Sequence, residues 1–187
     1  AFDAELFGHW WFEGPRFLCS MLRGVAASRL LSSATLSRLT RSRLPLAQPA
    51  ASSWGRGGFG QVWLGERAAT WWCPLHTAHR QIAALARRGV EGALPVRALE
   101  EAVRELLLAE ASDWLFMIDG EDLAAYGRER LQGHLERAQA LAAIATGERE
   151  PSAEQRAELE AAPDGFLAEL RGEELWGPLG QSASSPP

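Results

Sequence analysis

Apolar positions in the second half of the chain recur at steps of three and four, the spacing that puts side chains on one face of an α-helix. Behind Pro95 the set is Val96, Leu99, Val103, Leu106 and Leu107, which predicts a helix opened by that proline. His76 to Arg88 carries Ile82, Leu85 and Ala86 on one face. Asp122 to Ala145 carries Leu123, Tyr126, Leu131, Leu135, Leu141 and Ile144. Pro151-Ser152 starts a last helix, with Glu154 near its N-terminus, where negative charge is favourable. The first half is less regular. Residues 1–8 read as a strand or strand end running into a loop at Gly8. Pro15 then opens a helix with Phe17, Leu18, Met21, Leu22 and Val25 at helical spacing. A short helix is expected within residues 28–43, Pro45 and Pro49 punctuate a linker from Leu44 to Ser53, and a glycine cluster runs from Gly55 to Gly60. Residues 181–187 are rich in Ser and Pro and read as a disordered tail.

Hydrophobic residues make up 47% of the 187 positions, enough for a globular core. No apolar run is long enough to span a bilayer, so no membrane partner is expected. The opening does not read as a signal peptide: Asp3 and Glu5 stand where basic residues belong, and no apolar stretch follows. Residues 1–60 carry a net charge of +4 and residues 61–187 one of −9. That acidic balance argues against nucleic acid as a partner. Nothing favours a disulfide between Cys19 and Cys73, and a reduced, cytoplasmic setting is the expectation.

The densest chemistry is at the start, in Asp3-Ala4-Glu5-Leu6-Phe7-Gly8-His9-Trp10-Trp11-Phe12-Glu13-Gly14. Enzymes acting on sugars need a proton donor beside flat apolar surfaces, and this stretch offers both. A site this dense should be the end of something longer, which makes the chain the C-terminal part of a larger enzyme. Gly55-Arg56-Gly57-Gly58-Phe59-Gly60-Gln61-Val62 fits the glycine spacing of a kinase phosphate loop. The chain has no lysine, no H-R-D and no D-F-G, so the pattern reads instead as an irregular loop bringing Trp54 and Trp63 to a surface. His76 and His79 lie three apart without a third ligand at suitable spacing, and no metal site is expected. Six of the eight tryptophans fall within the first 72 residues, mostly in loop-like contexts. They are either core rings or rigid faces that stack on sugars. Asp113 beside Trp114 is either a helix cap or a carboxylate held next to an aromatic to bind hydroxyls.

These segments together resemble the family 57 glycoside hydrolases, specifically their 1,4-α-glucan branching enzymes. The stretch from Asp3 to Pro15 is similar to the family's fourth conserved region. Ser52-Ser53-Trp54-Gly55-Arg56-Gly57-Gly58 with Val62-Trp63-Leu64 is similar to its fifth. Ala111-Ser112-Asp113-Trp114, with Tyr126 and Arg130 downstream, resembles a block in its helical C-terminal domain. The resemblance implies a mainly α chain: residues 1–45 the last strand and helix portion of an incomplete (β/α)7 barrel, residues 46–180 an all-helical C-terminal domain, residues 181–187 the tail. It implies a retaining transglycosylation that cuts an α-1,4-glucan and forms α-1,6 branches, with two carboxylates about 5–5.5 Å apart. Asp3 matches the acid/base. The nucleophile, a Glu on an upstream barrel strand, has no counterpart here. Trp54 and Asp113 match glucan-contacting positions, and the family's glutamine nine residues beyond Asp113 falls on Asp122. Trp10 and Trp11, the flat surfaces beside the proton donor, are candidate substrate-binding residues as well. The implied partners are an α-1,4-glucan such as amylose or glycogen and the missing N-terminal barrel portion, with no cofactor.

Two rivals stand beside this expectation. One is another member of the family, a 4-α-glucanotransferase or α-amylase, in which a different acceptor takes the glycosyl unit. The other is a non-catalytic carbohydrate-binding helical module.

Overall fold

The computed structural model describes residues 1–41, 44–161 and 165–169. The chain divides into two compact units, Ala1–Ala50 and Ala51–Pro187. The expected tail at 181–187 lies outside the described residues.

The first unit begins differently from expectation. Residues Ala4–Phe7 form a 3₁₀ turn, not a strand. A strand needs a neighbour to close its backbone hydrogen bonds. Among the described residues there is no strand to serve as one. The bonds close locally instead, from Leu6 N–H to the Asp3 carbonyl (3.2 Å) and from Gly8 N–H to that of Glu5 (3.0 Å). Helix α1 (Gly14–Ala27) follows with Pro15 in its first turn, as expected. Phe2, Phe7, Trp11 and Phe17 cluster over its start, the Trp11 and Phe17 ring centroids 4.9 Å apart. Gly14 is buried beneath them, where a Cβ would come within 3.2 Å of the Phe7 and Trp11 rings. Helix α2 is a single turn, Leu36–Leu39, capped by the Thr35 hydroxyl.

The second unit is a helical bundle. Helix α3 (Gln61–Leu64) leads into α4 (Glu66–Arg88), α5 (Ala93–Ala109), α6 (Ser112–Asp119), α7 (Ala124–Ala145) and α8 (Ala153–Glu160). Helix α5 packs along both α7 and α4, α6 lies on α7 and α3, and α8 covers α5. The core is aliphatic: Ala68, Leu75, Ala78, Ile82 and Leu85 from α4 meet Leu99, Val103 and Leu106 from α5 and Leu131 and Leu135 from α7. Helix α4 starts ten residues before the expected His76 and runs through Pro74. The proline costs one backbone bond. The stripe of buried residues from Ala68 to Leu85, with the partly buried Trp71 and Trp72 between Ala68 and Leu75, holds the helix through it. Trp71 and Trp72, expected in a loop, are therefore on this helix and pack against the core, as does Trp63 on α3.

Helices α6 and α7 approach closely at Gly127, where a Cβ would lie 2.9 Å from the Met117 Cβ and 3.0 Å from the Trp114 carbonyl oxygen. Helix α8 opens with a capping box formed by Ser152 and Gln155. Buried polar groups are paired. Glu100 holds Arg97, and Arg104 donates to Glu101 and to the carbonyls of Leu167 (2.8 Å) and Ala168 (3.1 Å). No helix among the described residues is long and apolar enough to cross a membrane.

Candidate functional site

The glycine cluster forms the loop expected from the sequence, and its backbone explains the glycines. Gly55, Gly57, Gly58 and Gly60 all take positive φ, which side-chain-bearing residues rarely adopt. The Ser53 hydroxyl accepts from Gly60 N–H at 2.6 Å and closes the loop from below. Arg56 reaches out of it to grip both oxygens of Asp119, at the end of α6, at 2.8 and 2.7 Å. Arg67 on α4 donates to the Asp119 carbonyl at 2.9 Å. These contacts fix the loop against α6.

Trp54 rides on this loop and is 68% exposed, so it is not a core ring. Its centroid lies 5.1 Å from that of Phe116 on α6, itself 41% exposed. Asp113 sits in the first turn of α6, three residues before Phe116 and so on the same face. It is not the N-cap, a position held by Ala111. Asp122, in the turn after α6, lines a shallow depression together with Phe116, Arg56 and Asp119. The second unit thus gathers Trp54, Asp113 and Asp122 around Phe116. Sequence reasoning passed over Phe116, Arg56 and Asp119. Phe116 stood in view one turn from Asp113, but nothing in the sequence says that Trp54 reaches it. The Arg56–Asp119 pair spans 63 positions and has no local signature.

Three tryptophans of this unit are anchored by their polar ends. Trp63 Nε1 donates to the Ser112 carbonyl (3.0 Å), Trp72 Nε1 to that of Trp63 (2.8 Å) and Trp114 Nε1 to that of Leu108 (2.6 Å). Behind Trp114 the buried His134 lies 5.8 Å from its ring and bonds Glu105 at 2.6 Å. Tyr126 meets the Trp114 edge and the Arg130 guanidinium covers its face at 5.9 Å. Of the two spaced histidines, His79 pairs with Glu110 at 2.7 Å, and His76 lies against the Trp72 ring. Among the described residues no three His, Cys, Asp or Glu side chains converge as metal ligands.

In the first unit Asp3 is exposed at the head of the 3₁₀ turn, and its side chain makes no capping bond. Its carboxylate is not spent on holding the turn. Trp10 is 74% and Phe12 94% exposed, whereas Trp11 belongs to the aromatic cluster over α1.

The model of the family described as 1,4-alpha-glucan branching enzyme, C-terminal, matches residues 74–170. A probable 1,4-alpha-glucan branching enzyme of Mycobacterium tuberculosis is 33% identical over 91% of this chain and 34% of its own length. A 1,4-alpha-glucan branching enzyme of Thermococcus kodakarensis is 33% identical over 71% of this chain and 20% of its own. The crystal structure of a GH57-type branching enzyme from Pyrococcus horikoshii superposes with a TM-score of 0.70 at 29% identity, covering 85% of this chain and 31% of that one. The crystal structure of an alpha-amylase from Thermotoga maritima superposes at 0.61 with 30% identity, covering 85% and 29%. The chain spans about a third of the length of the first of these relatives.

Proposed function

This chain belongs to the family of 1,4-alpha-glucan branching enzyme C-terminal domains, and from that premise we propose that it is the C-terminal part of a cytoplasmic enzyme that cuts α-1,4-glucans and rejoins the released segment as an α-1,6 branch. In this reading residues 1–45 belong to the end of the catalytic barrel, residues 46–180, of which 170–180 lie outside the described residues, to the C-terminal domain, and the nucleophile lies on the barrel upstream. Asp3 is the acid/base: it protonates the leaving glycosidic oxygen, then takes the proton of the incoming 6-hydroxyl. Trp10, Trp54, Asp113 and Asp122 handle the glucan, and Trp11, packed in the aromatic cluster, holds the segment that carries Trp10.

The observation that carries this reading is the surface around Phe116. An exposed aromatic pair, Trp54 and Phe116, has the exposed Asp113 one helical turn before Phe116 and the exposed Asp122 lining the same depression as Phe116. Ring faces match the apolar faces of glucose, and carboxylates accept from its hydroxyls. The similarity to an alpha-amylase structure supports a second reading, in which water takes the glycosyl unit.

The test is to incubate amylose with the complete enzyme and record anomeric proton resonances. New α-1,6 signals are expected. New reducing ends without α-1,6 signals would favour the amylase reading, and an unchanged polymer would overturn both. The 187-residue chain alone is expected to leave amylose unchanged, because one carboxylate does not supply both roles of a retaining pair.

Trp54→Ala tests the surface. A surface ring tilted against one neighbour contributes under about 1.5 kcal/mol to folding, against about 3–5 for a core aromatic. Maltohexaose affinity is expected to fall by about fivefold or more while the melting temperature moves little. A large melting drop with unchanged affinity would remove Trp54 from the site.

A further inference from the structure

Trp54 is carried by a loop whose sequence gives it little stiffness of its own. Four of the six residues from Gly55 to Gly60 are glycines, and all four take positive φ, conformations that glycine enters and leaves without steric cost. The loop's own bonds close it on itself: Ser53 N–H donates to the Gly58 carbonyl at 2.7 Å and Gly58 N–H to that of Gly55 at 3.2 Å. They set its shape but not where it sits on the helices. Beside the Trp54–Phe116 contact, two others do that. Val62, buried on α3, lies against Gly55, where a Cβ would come within 2.9 Å of the valine Cγ2. Arg56, two residues from Trp54, places one terminal nitrogen astride both oxygens of Asp119, at 2.8 and 2.7 Å.

Asp119 is well placed to receive it. Its side chain is 12% exposed and that of Arg56 66%, so the acid is the fixed partner and the loop is what it holds. As the last residue of α6 it stands at the helix C-terminus, where a cation is favourable. Arg67 of α4 donates to its carbonyl at 2.9 Å and ties that end of α6 to the bundle. Phe116, which meets the Trp54 ring, lies three residues earlier and on the same face. The acid that anchors the loop and the ring that Trp54 meets therefore belong to one rigid element. An ion pair this near the surface adds little to folding; its main effect is to fix a position.

We propose that Arg56 and Asp119 are positioning residues: their ion pair sets Trp54 in place against Phe116, and neither side chain touches the sugar. This rests on the reading of Trp54 as a glucan contact. Because one nitrogen makes both bonds, a lysine ammonium can stand in for the guanidinium, whereas a neutral amide on either side loses the charge that makes the bonds strong.

The test compares maltohexaose affinity and melting temperature of the complete enzyme in Arg56→Gln, Asp119→Asn and Arg56→Lys, each alone and combined with Trp54→Ala. Arg56→Gln and Asp119→Asn are each expected to weaken affinity by about threefold, and both together by no more than either one, since they break the same pair. The melting temperature is expected to stay within about 2 °C. Arg56→Lys is expected to keep most of the parent's affinity. In the Trp54→Ala background none of the three is expected to lower affinity further. Unchanged affinity in Arg56→Gln, beside a weakened Trp54→Ala, would overturn the positioning role and leave Trp54 in the site. Unchanged affinity in Trp54→Ala as well would overturn both. A loss from Arg56→Gln that persists without the Trp54 ring would make Arg56 a direct contact, and a melting drop of several degrees with affinity kept would make the pair structural; either result overturns the proposal.

Discussion

Asp3→Asn, in an enzyme that carries this chain together with its upstream barrel, is expected to lower turnover of amylose by about 10²–10⁴-fold. In a retaining mechanism the acid/base must give a proton to the departing oxygen and recover one from the acceptor. Asparagine keeps the shape and part of the hydrogen bonding but has no proton to exchange. The structure limits collateral damage. The Asp3 side chain makes no capping bond to the 3₁₀ turn, whose closure uses the Asp3 backbone carbonyl. Folding and maltohexaose binding are therefore expected to survive. Measuring kcat beside the maltohexaose affinity separates the cases. A variant with more than a tenth of the parent's turnover would strip Asp3 of its role.

The largest expected loss of stability comes from Ile118→Ala. Ile118 is 1% exposed on α6, the helix whose other face carries Asp113 and Phe116. Truncating a buried isoleucine removes its transfer energy and leaves a cavity, costing about 2–5 kcal/mol. In a domain of this size that lowers the melting temperature by roughly 10 °C. Repacking is constrained here because α6 already meets the α7 backbone at Gly127, and a helix in such contact does not slide inward to fill a gap. Urea unfolding should give a lower midpoint with an unchanged slope. A cost below about 1 kcal/mol would show that α6 is held by its polar ends, through Asp119, rather than by its apolar face.

The helical unit was legible because its signals are local. The apolar stripe behind Pro95 lies in α5, and the Pro151-Ser152 start is the capping box that opens α8. Two features misled. Trp71-Trp72-Cys73-Pro74 looks like a loop because proline ends helices, yet the stripe from Ala68 to Leu85 outweighs one missing bond. Residues 1–8 look like a strand because they are short and apolar, but pairing depends on residues far away in the chain, and without a partner the backbone turns on itself. The site divides the same way. Asp3, Trp54 and Asp113 stand out in the sequence through their neighbours. Phe116 and the Arg56–Asp119 clamp emerge only when α6 is laid beside the glycine loop.

The length of α4 has a consequence for how such chains can diverge. Ala68, Leu75, Ala78, Ile82 and Leu85 all face the bundle from one continuous helix that also positions Trp72 and His79. Each residue of an α-helix turns it by about 100°. A single codon gained or lost between 68 and 85 would rotate one half of that face into water while the other stayed buried. Substitutions can be absorbed there one at a time, but insertions and deletions are barred. They are expected instead in the connections, such as residues 146–152 between α7 and α8, where only surface backbone shifts.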